Sequence, residues 1–164
     1  MTTCSSRSFH FELYPKICRD RDLPALEWMG LFSNQREIIR DTYTRQQRGE
    51  ALMLLGMSNE YPLAQAWLDF TKRGSWQRPR VWALRVFPPL QGLGIGTWML
   101  RAAEAVAKSR GARELELGVE KTNIDAQRLY DRLGYRATST EVAIDPNHAD
   151  GGAIIDQYLL AKSL

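Results

Sequence analysis

Residues 86–97 read Val86, Phe87, Pro88, Pro89, Leu90, Gln91, Gly92, Leu93, Gly94, Ile95, Gly96, Thr97, and they join a strand-like segment to a helix-like one. Pro88 and Pro89 end the strand, since neither can donate to a ladder. Three glycines at alternate positions then turn the chain into a helix whose start, through Thr97, carries no acidic residue. At such a junction several N–H groups point outward unsatisfied and the helix dipole adds partial positive charge. Without Cβ atoms in the way, a diphosphate can approach that backbone closely. The stretch therefore reads as an anion-binding turn, although a connection needing glycine only for its geometry gives the same pattern. The glycine spacing is shorter than a dinucleotide-binding fingerprint, and a Walker loop would need Lys and Ser or Thr where Thr97 and Trp98 follow Gly96.

Downstream, Met99, Ala102, Ala103 and Val106 keep helical spacing from Gly96 to Arg110, with Arg101, Glu104 and Lys108 on the other side and Gly111 closing the helix. Leu115, Leu117 and Val119 alternate with Glu114, Glu116 and Gly118 as a strand does. Asn123 is placed to cap a helix running to about Leu133, and Gly134 stops it. Tyr135 to Ile144 and Ile154 to Ala161 read as two further strands around the loop 145–152.

Upstream, Val81 to Phe87 is a strand, and Ala51 to Met57 with Leu63 to Phe70 reads as a hairpin. Phe9 to Cys18 is expected to form a first strand interrupted at Pro15, and Asp22 to cap a short helix from Leu23 to Leu31. A second helix spans Gln35 to Arg48, with Ile38, Ile39 and Thr42 on one side and Gly49 after it. Arg36, Arg40, Arg45 and Arg48 recur along it and are expected to form a solvated face. The order β-α-α-β-β-β-α-β-α-β-β indicates an α/β fold with helices packed around one mixed sheet.

The 164 residues are 44% hydrophobic and 25% charged, enough for one core, so a single domain over 9–164 is expected after a flexible segment 1–8. A formal charge of +3 is spread thinly, and no recognition motif or basic aromatic platform points to nucleic acid. Cys4 and Cys18 are too few for a disulfide framework and suit a reducing, cytoplasmic setting. With only His10 and His148, no multi-histidine metal site can form, and no stretch has the length of a membrane helix. An edge strand near the C-terminus is open to pairing in a homodimer.

The block Val86 to Gly96 resembles the acetyl-CoA signature of the GNAT superfamily of N-acetyltransferases, Gln or Arg followed by x-x-Gly-x-Gly or Ala. The block Asn123, Ile124, Asp125, Ala126, Gln127, Arg128, Leu129, Tyr130, Asp131, Arg132, Leu133, Gly134, Tyr135 resembles the family's later motif. Both occur in the family's order, and the resemblance covers the chain from about Phe9 onward. It implies a GNAT-type mixed, mostly antiparallel central sheet flanked by helices, with acetyl-CoA as cosubstrate and no metal. Position by position, it implies that Leu84 and Val86 offer strand backbone to the acetyl and pantetheine portions. Gln91, Gly92, Leu93, Gly94, Ile95, Gly96 and Thr97 would hold the pyrophosphate, and Asn123 would face the pantetheine arm. Leu93 stands where the family frequently has a polar residue. Tyr130 stands where many members keep a tyrosine that protonates the departing thiolate, a task a phenol can perform. Tyr130 also shares an apolar helix face with Ala126, Leu129 and Leu133, so a packing role fits the same position.

The implied reaction is direct attack of a neutral amine on the thioester, with a strand N–H steadying the oxyanion. Asp69, Glu116, Glu120 and His148 are candidates for the base, none singled out. A small-molecule amine is the first expectation for the acceptor; a protein N-terminus or lysine is the second. A CoA-binding regulatory module without turnover is the competing reading. Trp28, Trp67, Trp76 and Trp82 are candidates for lining an acceptor pocket or packing the core.

Overall fold

The computed structural model describes residues 12–145 and 153–164. Its seven strands are β1 (Tyr14–Ile17), β2 (Ala51–Ser58), β3 (Tyr61–Asp69), β4 (Arg80–Val86), β5 (Glu114–Glu120), β6 (Arg136–Asp145) and β7 (Ala153–Ser163). They form one sheet in the order β1-β2-β3-β4-β5-β7-β6. All neighbours are antiparallel except β4 and β5. The parallel pair requires a crossover, which the helix α2 (Ile95–Ser109) provides.

The apolar run of β2 is continuous because the strand is covered on both faces. Leu52 and Leu54 join the core beneath α2, with Met99, Leu100 and Ala103, while Met53, Leu55 and Met57 join a second core with Cys18, Leu26, Ile39 and Trp67. That second core is closed by α1 (Arg36–Gln47), which contributes Ile39. Asn59 and Glu60, both in the left-handed region, connect β2 to β3 in a two-residue turn whose twist matches the strands. A third helix, α3 (Ile124–Arg132), packs Ala126 and Tyr130 against the first core.

Several expectations are corrected by tertiary contacts. The first strand is short, Tyr14–Ile17, and the helix after it is a 3-10 helix, Asp20–Glu27. The N-cap is Arg19, not Asp22; Asp22 lies within the first turn, where its carboxylate accepts back from the Arg19 N–H at 2.8 Å, completing a capping box, and from Lys16 Nζ at 2.7 Å. Arg36, Arg40 and Arg48 are exposed, but Arg45 is not part of a solvated face. It is 7% exposed and forms two 3.0 Å hydrogen bonds with Asp69, which is 0% exposed. Breaking such a buried pair costs about 3–5 kcal/mol, because the remaining charge is stranded. The segment 1–8, Cys4, Phe9 to Phe11, His10 and His148 lie outside the described residues.

Candidate active site

β4 and β5 are paired at their start and then diverge. Their register holds at Arg80 with Glu116 and at Val81 with Leu117, and goes no further. On its other side, β4 pairs Trp82 with Trp67 and Arg85 with Gln65, so Ala83 and Leu84 stand opposite the single residue Ala66. Two residues against one is a β-bulge, which bends a strand and sharpens its twist. Ala83 has φ +54, a conformation an alanine adopts only where surrounding structure holds it. The bend opens a fork between β4 and β5, and a cleft of about 540 Å³ occupies it.

Three expected residues meet in this cleft: Leu84 from β4, Asn123 from the start of α3, and Tyr130 from its length. Asn123 caps α3, its side-chain oxygen accepting from the Ala126 N–H at 3.1 Å. The Tyr130 ring meets Tyr135 edge-on at 6.1 Å between centroids. Tyr135 is itself held by donating to Glu104 at 2.9 Å, which also receives Lys162 at 2.9 Å. Among the described residues the Tyr130 hydroxyl has no hydrogen-bond partner, and burial raises its pKa, so the phenol keeps its proton at neutral pH.

Val86 and Gln91 to Thr97 do not line that cleft; they continue beyond it, from the end of β4 into α2. Gln91 Nε2 donates to the Val86 carbonyl at 3.2 Å. Gly92 at φ +78 and Gly94 at φ +80 hold left-handed conformations, with open space where a Cβ would stand. Gly94 is the residue before α2, and its carbonyl accepts from the Trp98 N–H at 3.0 Å. Among the described residues no acceptor takes the N–H groups of Gly92, Leu93, Gly94, Ile95, Gly96 or Thr97. This is the donor set that a diphosphate needs.

The candidate bases separate. Asp69 is committed to Arg45, and Glu116 receives Arg80 at 2.7 Å, whereas Glu120 lines the cleft and is exposed. Of the tryptophans, Trp67 is fully buried, Trp28 is buried and donates to the Pro62 carbonyl, and Trp76 stacks on Phe70. Only Trp82 among these four lines the cleft.

Sequence reasoning missed Ala83, Arg80, Glu141 and Gln157. Arg80 Nη1 donates to Glu141 at 2.7 Å, and Gln157 Nε2 donates to the same carboxylate oxygen at 2.6 Å. Gly118 lets the Gln157 carboxamide lie against β5, since a Cβ there would come within 2.5 Å of its oxygen. No local pattern marks these residues, because each acts through partners distant in sequence.

Among the described residues no group of His, Cys, Asp and Glu is placed to hold a metal ion. Nor is any helix there long and apolar enough to cross a membrane. The acetyltransferase (GNAT) family model matches residues 21–135. A mycothiol acetyltransferase from Actinosynnema mirum is 36% identical over 73 residues, 44% of this chain; the match spans a quarter (25%) of that relative's length. The fold is shared with yncA from Salmonella typhimurium, solved with its cofactor acetyl-CoA, at a TM-score of 0.71 and 17% identity over 93% of this chain and 94% of that one. It is shared equally with the ribosomal-protein-S18-alanine N-acetyltransferase from Escherichia coli, at a TM-score of 0.71 and 21% identity over 93% and 94%. GNAT acetyltransferases use acetyl-CoA, and the free amides before α2 and the forked sheet fit that cosubstrate. With the family match covering more than two thirds of its residues, this chain belongs to the acetyltransferase (GNAT) family.

Proposed function

We propose that this protein transfers the acetyl group of acetyl-CoA directly to the amine of a small molecule. The observation that carries the reading is the β4–β5 fork, which gathers Leu84, Asn123 and Tyr130 around one cleft. Its volume of about 540 Å³ lies within the usual range for small-molecule sites.

Bound acetyl-CoA supplies an activated thioester. The N–H groups of residues 92–97 hold its pyrophosphate, supported by the positive end of α2. Backbone of Leu84, out of register with β3, faces the acyl end, and Asn123 borders the arm that leads to it. As the amine nitrogen bonds to the acetyl carbon and the carbon–sulfur bond breaks, the proton on the Tyr130 hydroxyl passes to sulfur. The amine's own proton leaves to water, and water reprotonates the phenol. Tyr130 suits the donor role because it lines the cleft, burial keeps its phenol protonated, and its hydroxyl has no competing acceptor among the described residues.

Calorimetric titration with acetyl-CoA, followed by a free-thiol assay over a panel of amines and short peptides, tests the reading. Binding with thiol release that depends on a small amine supports it. Release only with peptides would move the acceptor to a protein terminus or lysine. Binding without acceptor-dependent release would indicate a silent CoA-binding module.

A further inference from the structure

The cleft contains a cation that acetyl transfer, as set out above, leaves unused. Arg73 lies in the connection from β3 to β4 and lines both the main cleft and a neighbouring cavity of about 280 Å³. Trp82 borders both spaces as well, and the Arg73 guanidinium lies over its ring at 4.3 Å from the centroid. Such stacking holds the group in place without using its N–H donors.

The arginines around it have carboxylates of their own. Arg45 is paired with Asp69, and Arg80 with Glu116 and Glu141. Among the described residues no carboxylate forms an ion pair with Arg73. Arg73 is an exposed residue whose surroundings on balance act against its charge: protein that displaces water lowers its pKa first, Arg80 and Arg45 add to the lowering, and Asp69 and Glu141 oppose it. An anion at this point would relieve the repulsion.

The turn that presents Arg73 is fixed from below. Asp69 accepts the N–H groups of Thr71 at 3.0 Å and Lys72 at 2.8 Å while its carboxylate is gripped by Arg45. Arg45 also reaches Thr71 Oγ1 at 3.2 Å. A planar guanidinium held this way offers paired donors in the geometry a carboxylate accepts.

We infer that Arg73 is the acceptor-binding residue that takes a carboxylate, so the amine acetylated here belongs to a small molecule carrying both groups. This rests on the acetyl-transfer reading, because Tyr130, Asn123 and Leu84 occupy the donor side of the same cleft. Glu141, near enough to favour the Arg73 charge, spends its hydrogen bonds on Arg80 and Gln157 and forms no ion pair with Arg73.

Matched pairs of amino acids and their carboxamides, with acetyl-CoA as donor, test the inference. The expected result is a kcat/KM about 10- to 100-fold higher for the carboxylate member of a pair. Arg73→Gln should bring that ratio towards one, and Arg73→Lys, which keeps charge but not the fork, should retain part of it. Acetyl-CoA affinity of each variant, read by calorimetry, reports that the fold is intact. Equal use of both members by the unaltered protein, or a preference that survives Arg73→Gln, overturns the inference and leaves acetyl transfer standing. If no amine turns over, the same pairs are titrated against the protein saturated with CoA; equal affinity, or binding of neither, overturns it too. Failure to bind acetyl-CoA at all overturns the reading beneath it.

Discussion

Val81 and Leu117 are the last residues at which β4 and β5 remain paired. Two positions later Ala83 turns to φ +54, and the strands separate around the space that holds Leu84, Asn123 and Tyr130. The fork thus opens where β4 bulges at Ala83 and Leu84, a stretch held by β3 on one side and by the cores on both faces.

Substitution at Ala83 should expose that dependence. Ala83→Val places a β-branched residue in the left-handed region and should cost about 1–3 kcal/mol of stability while weakening acetyl-CoA binding. Ala83→Gly, which adopts the conformation freely, should leave stability within about 1 kcal/mol. Thermal unfolding and calorimetry of the two variants measure the contrast, and equal behaviour would remove the bulge from the explanation.

Gly94→Asp should abolish measurable acetyl-CoA affinity. The substitution puts a negative charge and a strained φ of +80 among the free amides of residues 92–97. Gly94→Ala, uncharged, should carry the strain alone at about 1 kcal/mol. Affinity retained in the aspartate variant would contradict phosphate binding there.

Tyr130→Phe should lower kcat on the order of 100-fold with acetyl-CoA affinity preserved. The hydroxyl has no partner among the described residues, so its removal should leave stability nearly unchanged. Because burial raises the phenol's pKa and a proton donor works below its pKa, this group should impose no loss of rate up to about pH 10. A rate unaffected by the substitution would assign Tyr130 to packing against Tyr135.

Asp69→Asn should destabilise by about 3 kcal/mol, because buried Arg45 then keeps only its longer 3.5 Å ion pair with the more exposed Glu50. Burial alone would raise the Asp69 pKa, but Arg45 and the N–H groups of Thr71, Lys72 and Arg73 hold it below the usual value. A carboxylate depressed in this way contributes its stability above about pH 4, the ordinary unfolded range, and loses it as pH falls through the lower folded value. Acid unfolding followed by circular dichroism should show this component in the native protein and not in the variant.

Much of the architecture was legible because it is written in local chemistry. Leu115, Leu117 and Val119 alternate as a strand buried on one side requires, Asn123 caps α3, and the prolines after Val86 end β4. Boundaries drifted where neighbours decided them. The segment around Asp22 winds as a 3-10 helix that starts three residues earlier, so that side chain turns back to the Arg19 N–H and to Lys16 from inside the first turn.

By itself the sequence determined the order of elements, the sheet class, and the glycine turn and Asn123–Tyr135 block by which the family is recognised. These depend on periodicity, on turn residues and on backbone freedom, all properties of a short stretch of chain. Only tertiary structure decided that Arg45 is buried on Asp69, 24 residues away, that Arg80 is tied to Glu141, 61 residues away, and that Arg73 has no such partner among the described residues. In sequence these arginines are alike; which of them is neutralised depends on the carboxylates that folding brings within reach, and the Coulomb energy of a pair is fixed by distance and burial, not by residue type.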